Sequence, residues 1–173
     1  MIKSMYKKPT GFTIIELLIV IAVMAILAAI VVVGWNGVSV QSRNTARANE
    51  LETWKSTFEL YKTRFSTYPS QATGSYCLGS SFSTGKCADT SSSTAPTVAA
   101  STGLMNELKR VSPTLPSVST SAVATYAGPY AIIGATDIKL IGAFESNNSC
   151  PDDLVVETSV SSGLTLCKYT LTY

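Results

Sequence analysis

The 173-residue chain contains no histidine, which removes the commonest general acid–base side chain and the commonest metal ligand. Charge is also scarce. Only 14% of the residues are charged, while 46% are apolar, where soluble domains average about a quarter charged. No Gly-rich phosphate loop and no nucleophile motif is present, so nothing in the chain resembles a catalytic constellation, and neither an enzyme nor a cofactor is expected. The four cysteines, Cys77, Cys87, Cys150 and Cys167, do not have C-x-x-C or C-x4-C spacing, and without histidine they make a poor zinc site.

Excess charge of one sign is missing too. The formal balance is +2 from thirteen basic and eleven acidic residues. Three of the basic residues, Lys3, Lys7 and Lys8, precede the main apolar run, and without them ten basic residues face eleven acidic ones. Bulk charge therefore gives no argument for nucleic acid or for anionic lipid.

What the chain does have is concentrated near its start. Between Ile14 and Val33 there is one charge, Glu16, and the seventeen residues from Leu17 to Val33 carry none. As a helix rising about 1.5 Å per residue, this run is long enough to cross a bilayer. Lysines before it, with Arg43 and Arg47 farther beyond, favour a cytoplasmic N-terminus and an exported C-terminal part. A standard secretory signal cut near Ala25, Ala28 or Ala29 is an alternative reading, but the run continues past those sites into a periodic helix.

Beyond the run the helical pattern persists. Leu51, Trp54, Phe58, Tyr61 and Phe65 recur at spacings of three and four, a single stripe, with Glu50, Glu52, Lys55, Glu59, Lys62 and Arg64 on other faces. The stripe reads as core packing. The helix is expected to begin at Phe12 and to end before Tyr68-Pro69, a length of roughly 80 Å. Gly34 and Gly37 mark either a hinge or only the membrane interface.

Such a helix exceeds what the remaining residues can cover, so its first half needs other partners: lipid, and then neighbouring subunits. Ser70 to Thr102 is rich in Ser, Thr, Gly and Ala and reads as a loop. A short helix is expected over Gly103–Val111, stopped by Pro113 and Pro116. Tyr130–Ile133, Ile138–Phe144, Leu154–Val160 and Leu164–Thr172 read as three or four antiparallel strands against the amphipathic half of the long helix. Asp152 and Asp153 read as a solvated turn, calcium being the weaker alternative, and Asn147-Asn148-Ser149 matches a glycosylation sequon. An even number of cysteines on an exported side implies two disulfides, for which three pairings exist. The sequence-local one, Cys77 with Cys87 and Cys150 with Cys167, is expected because both loops are short and turn-rich.

The most informative stretch is Lys7-Lys8-Pro9-Thr10-Gly11-Phe12-Thr13-Ile14-Ile15-Glu16-Leu17-Leu18. A carboxylate just inside a membrane helix is costly unless something offsets it. A cut after Gly11 would create an α-amino group on Phe12, about one helical turn from Glu16. Pairing of amine and carboxylate, within a chain or between chains, would satisfy both charges, and between chains would also fix axial register. Glu16 as a snorkelling charge in an ordinary anchor is the plainer alternative.

This stretch resembles the type IV pilin and pseudopilin family, whose precursors carry a short basic leader, Gly before the cut, Phe after it, Glu as the fifth mature residue and about twenty apolar residues. The resemblance covers roughly residues 7 to 40. It implies cleavage between Gly11 and Phe12 by a prepilin peptidase, N-methylation of Phe12, and Glu16 as the partner of a neighbouring amino terminus. It also implies an assembly ATPase, a membrane platform protein and identical or related subunits as partners. The expected fold is α+β and type IV pilin-like: a long N-terminal helical spine, transmembrane then amphipathic, packed on a small antiparallel β-sheet head.

The expected divisions are a leader over 1–11, a transmembrane and assembly half-helix over 12–35, an amphipathic half over 36–69 and an exported head over 70–173. The expected location is a single membrane pass before assembly and a bacterial cell-envelope or extracellular filament afterwards. The shared N-terminal motif leaves two filaments open, a type IV pilus and the pseudopilus of a type II secretion system. A membrane-anchored binding protein that never polymerises is the remaining alternative.

Overall fold

The computed structural model describes residues 11–79, 82, 86–88, 98–116, 126, 128–146, 149–151, 153–161 and 163–173. The chain falls into two compact units, residues 1–39 and 40–173. Helix α1 (Ile14–Phe65, 52 residues) contributes its first part to one unit and its remainder to the other. It is unbroken through Gly34 and Gly37.

In the first unit, helix formation begins two residues later than Phe12. Thr13 is non-helical and its carbonyl accepts the first helical bond, from the Leu17 N–H at 3.3 Å, which makes it the N-cap. Every described side chain from Gly11 to Val31 is exposed. The segment Ile14–Val31 is long and apolar enough to cross a membrane.

The second unit is built on a five-stranded antiparallel sheet in the order β1-β4-β5-β7-β6: β1 Gly74–Cys77, β4 Tyr130–Ile133, β5 Asp137–Phe144, β7 Leu164–Thr172 and β6 Val155–Ser161. A smaller antiparallel pair, β2 Lys86–Ala88 and β3 Val98–Ala99, completes the strands. Helix α2 (Thr102–Lys109) is capped by Ser101, whose side chain accepts from the Leu104 N–H.

Side-chain alternation along the strands gives the sheet two apolar faces. On one face Ala131, Ile133, Ile138, Leu140, Phe144, Cys167 and Leu171 pack against the α1 stripe of Ala48, Leu51, Trp54, Phe58 and Tyr61, with Leu104, Met105 and Leu108 of α2. Gly142 lies in this layer under Leu51: a Cβ there would stand 3.6 Å from both Leu51 methyls and 3.2 Å from Phe144 Cε2. On the opposite face Tyr130, Ile141, Ala143, Leu164 and Leu166 pack with Cys77, Cys87, Ala88, Val98 and Tyr126. The α1 stripe is core, as its spacing indicates, and Phe65, at the last turn, is only partly buried.

Where the sequence reads as a loop from Ser70 to Thr102, the structure places three strands. Their apolar residues are few, but β1 gains backbone hydrogen bonds from β4 across four residue pairs, and Cys77 and Cys87 are joined and fully buried. Pairing and cross-linking supply the order that side-chain bulk does not. The sheet accordingly has five strands in place of the expected three or four.

Helix α1 stops because Ser66 adopts a left-handed conformation (φ 58°), which ends the hydrogen-bond pattern. The exit is then fixed from outside. Lys62 Nζ donates to the Thr172 carbonyl at 2.8 Å and sits 4.7 Å from the Tyr68 ring centre, and Tyr68 meets Tyr173 edge to face at 5.5 Å.

Candidate processing and assembly site

The N-terminal residues of α1 form a small, self-consistent arrangement. Thr13 N–H and Thr13 Oγ1 both donate to Glu16 Oε2, at 2.8 and 2.7 Å, and Glu16 N–H lies 3.3 Å from Thr13 Oγ1. A cap residue whose side chain faces the amide three positions on, and whose own amide is taken by that residue's carboxylate, is a capping box. Two amides that have no partner inside the helix are satisfied, and the carboxylate sits at the positive end of the helix dipole. Glu16 Oε1 has no hydrogen bond among the described residues. The Thr-x-x-Glu spacing ahead of an apolar run is visible in the sequence, and it is the signal that finds this box.

Gly11 and Phe12 lie outside the helix, and Phe12 is 89% exposed. The peptide bond between them is therefore not occupied by helical hydrogen bonding.

Residues 6–32 match the family described as "Prokaryotic N-terminal methylation motif". The chain carries a prepilin-type signal. This motif is the one of type IV pilins and pseudopilins, and it supports a processed pilin-like or pseudopilin-like subunit. Neither the curated proteins nor the solved structures contain a match. The α+β architecture of a long apolar-then-amphipathic helix and an antiparallel sheet is consistent with a type IV pilin-like fold.

The second unit of this prepilin-like chain holds its own polar centre. Arg43 approaches Glu145 through two bonds, Nε to Oε1 at 2.9 Å and Nη2 to Oε2 at 2.7 Å, and Arg47 Nη1 adds a third to Oε1 at 2.9 Å. Asn44, between the arginines, donates to the Glu145 carbonyl at 2.9 Å and accepts from its N–H at 3.1 Å. Both the side chain and the backbone of Glu145 are thus held to α1 just after β5 ends. The hydrogen bond from Arg43 is the main reason that the Glu145 carboxyl is pushed down to about 2, with Arg47 adding to it against the opposing effect of burial. In the sequence Arg43 and Arg47 read as topology-setting charges. Their partner lies 102 and 98 residues away, and no spacing rule reaches that far.

A parallel arrangement fixes α2. Tyr61 Oη donates to Glu107 Oε2 at 2.7 Å, Arg110 Nη1 reaches the same oxygen at 2.9 Å, and the Arg110 guanidinium lies 4.5 Å from the Phe65 ring centre. The Tyr61 bond is the first cause, and Arg110 the second, of a Glu107 carboxyl below the usual range.

Both disulfides are sequence-local, Cys77–Cys87 and Cys150–Cys167. The first joins β1 to β2 on one face of the sheet. The second ties the segment after β5 to the middle of β7 on the α1 face. Asp153 is exposed, and Asp152, Asn147 and Asn148 lie outside the described residues. Among the described residues no three acidic or cysteine side chains come together as a metal site.

Proposed function

We propose that this chain is a structural subunit of a type IV pilus-like filament, made as a precursor, cut between Gly11 and Phe12 by a prepilin peptidase and N-methylated on Phe12. Its divisions are a leader over 1–11, an anchoring and assembly half-helix over 12–35, an amphipathic half over 36–69 and an exported head over 70–173. Before assembly the apolar helix rests in the membrane with its N-terminus on the cytoplasmic side. During assembly it exchanges lipid for the equivalent helices of other subunits, driven by an ATPase and a membrane platform, and the filament carries the head outside the cell or within its envelope.

The observation that carries this reading is the prepilin-type signal over residues 6–32 joined to a fully exposed apolar helix with one acid at its start. An exposed apolar surface of this length needs lipid or protein around it. Glu16 supplies the polar specificity: a neighbouring chain's amino terminus is the cation that would offset it in an apolar layer. Two disulfides suit a head exported to an oxidising compartment, and the pseudopilus of a type II secretion system is the alternative filament.

The test is the mass of the N-terminal peptide of the protein purified from its native membrane or from sheared surface filaments. A peptide beginning at Phe12 with one added methyl group is the expected result. A peptide beginning at Met1, or beyond Ala25, refutes the reading.

A further inference from the structure

The two apolar faces of the sheet are closed by different means. The α1 face is filled by the stripe of α1 and by α2. The opposite face is covered by a short stretch of chain, β2 and β3 with Tyr126, lying over Tyr130, Ile141, Leu164 and Leu166. That cover is poor in apolar material. From Gly79 to Thr97 the sequence holds only Phe82, Cys87, Ala88 and Ala95, and Phe82 is only partly buried. Hydrophobic stabilisation scales with the apolar area removed from water, so this stretch gains little by lying on the sheet.

The polar bonds of the cover converge on its cross-link. The Cys87 N–H donates to Cys77 Sγ at 3.0 Å, a weak acceptor, and the Cys87 carbonyl accepts from the Gly128 N–H at 3.3 Å. Tyr126, bridged to Ala88, buries its hydroxyl with no hydrogen-bond partner among the described residues, which is a cost of closure. Cys77 and Cys87 are both fully buried.

We propose that the Cys77–Cys87 disulfide is a redox latch: closed, it holds the β2–β3 cover on the outer face of the sheet, and open, it releases the cover and bares that face while the α1 side of the head stays folded. The α1 side has its own helices, its own ion-pair clasp at Glu145 and its own disulfide, Cys150–Cys167, so it does not depend on the cover. Opening consumes a dithiol. One of its thiolates attacks a latch sulfur, its second thiol resolves the mixed disulfide, and Cys77 and Cys87 take up the two electrons and two protons while the dithiol becomes a disulfide. Closing is the reverse, with a disulfide as oxidant. The closed latch is shielded by the cover it holds, because a thiolate reaches either buried sulfur only after the cover lifts. Once lifted, the cover leaves an apolar sheet face open to association with other chains. The device belongs to the head and operates whether or not the chain enters filaments.

The test compares the full-length unaltered chain with a Cys77→Ala/Cys87→Ala variant and a Cys150→Ala/Cys167→Ala variant, all in non-ionic detergent. Hydrogen exchange is followed by mass spectrometry, together with the rate of tryptic cleavage after Lys86 in β2. A cross-link spanning 10 residues restrains the open state by a factor of about a hundred. Exchange of the β2 amides and cleavage after Lys86 should therefore rise by about tenfold to a hundredfold in Cys77→Ala/Cys87→Ala. Exchange over Ala48–Tyr61 of α1 should stay within about twofold, as for independent regions, and Cys150→Ala/Cys167→Ala should leave the cover protected. In a second arm the unaltered chain is partly reduced with dithiothreitol and alkylated. Molecules cut after Lys86 should be those labelled at Cys77 and Cys87, and molecules labelled only at Cys150 and Cys167 should stay uncut. A cover that remains protected in Cys77→Ala/Cys87→Ala overturns the latch, since the cover then holds itself. Loss of protection over Ala48–Tyr61 in that variant also overturns it, since the disulfide is then a staple of the whole head, and so does cleavage after Lys86 that is independent of which cysteines are labelled.

Discussion

Replacing Glu145 with glutamine keeps its shape and removes the charge shared by Arg43 and Arg47. In the folded chain the carboxyl is pushed from 4.5 down to about 2, and at 1.36 kcal/mol for each pH unit the ceiling on its contribution is about 3.4 kcal/mol. The side chains of Arg43 and Glu145 are 37% and 28% exposed, so solvent screening reduces the expected loss at neutral pH to about 1–2 kcal/mol. The folded carboxyl lies below its unfolded value. Its contribution is therefore complete above about pH 4.5 and disappears as pH falls toward about 2.

The assay is urea denaturation of full-length protein in non-ionic detergent, in a Trp35→Phe background. Trp54, which is wholly buried in the core, then reports unfolding. The stability difference between the Glu145→Gln variant and its parent should be present at pH 7 and shrink toward zero as the pH approaches 2. A difference below about 0.5 kcal/mol at pH 7, within the range of ordinary surface changes, would refute the clasp. A difference that stayed constant down to pH 2 would refute its electrostatic origin.

Ser66→Gly should stabilise the protein by about 0.5–1 kcal/mol in the same denaturation assay, because φ 58° is strained for serine and natural for glycine; a loss of stability would show that the Ser66 side chain has an undetected role. Replacing both Cys150 and Cys167 with Ser opens a loop of sequence separation 17 and should cost about 3 kcal/mol, the entropy of leaving such a loop unlinked in the denatured chain. A cost near zero would mean that the Glu145 clasp and the β5–β7 pairing already confine the segment.

The legible parts of this protein are those governed by local periodicity. Leu51, Trp54, Phe58 and Tyr61 fall on one helical face and are core. The alternation of Ile138, Leu140 and Phe144 marks β5 in the same way, because one side of that strand is filled by α1. The prepilin-type stretch around Gly11, Phe12 and Glu16 is legible for a different reason: its residue types and spacing are rarely combined by chance.

What was not legible depends on partners far away in the chain. Strand β1 is Gly-Ser-Tyr-Cys, a composition that favours turns, and it is a strand because β4 lies beside it. The pairing of β2 with β3 spans a stretch of Ser and Thr with almost no bulk. Glu145 in isolation is one acid after a strand, and only the fold brings it under Arg43 and Arg47. The capping box is an intermediate case. It is written in Thr13-Ile14-Ile15-Glu16, but a carboxylate in a membrane-like run draws attention to an outside partner before the neighbouring threonine.

In the proposed filament the chain polymerises through its apolar helix with Glu16 as the polar contact. Its most direct test is Glu16→Ala in the full precursor, followed by quantification in membrane and sheared-filament fractions. The expected result is a chain that inserts and is cut at Phe12 but is absent from filaments. A Glu16→Ala chain that assembles as well as the unaltered protein would contradict it.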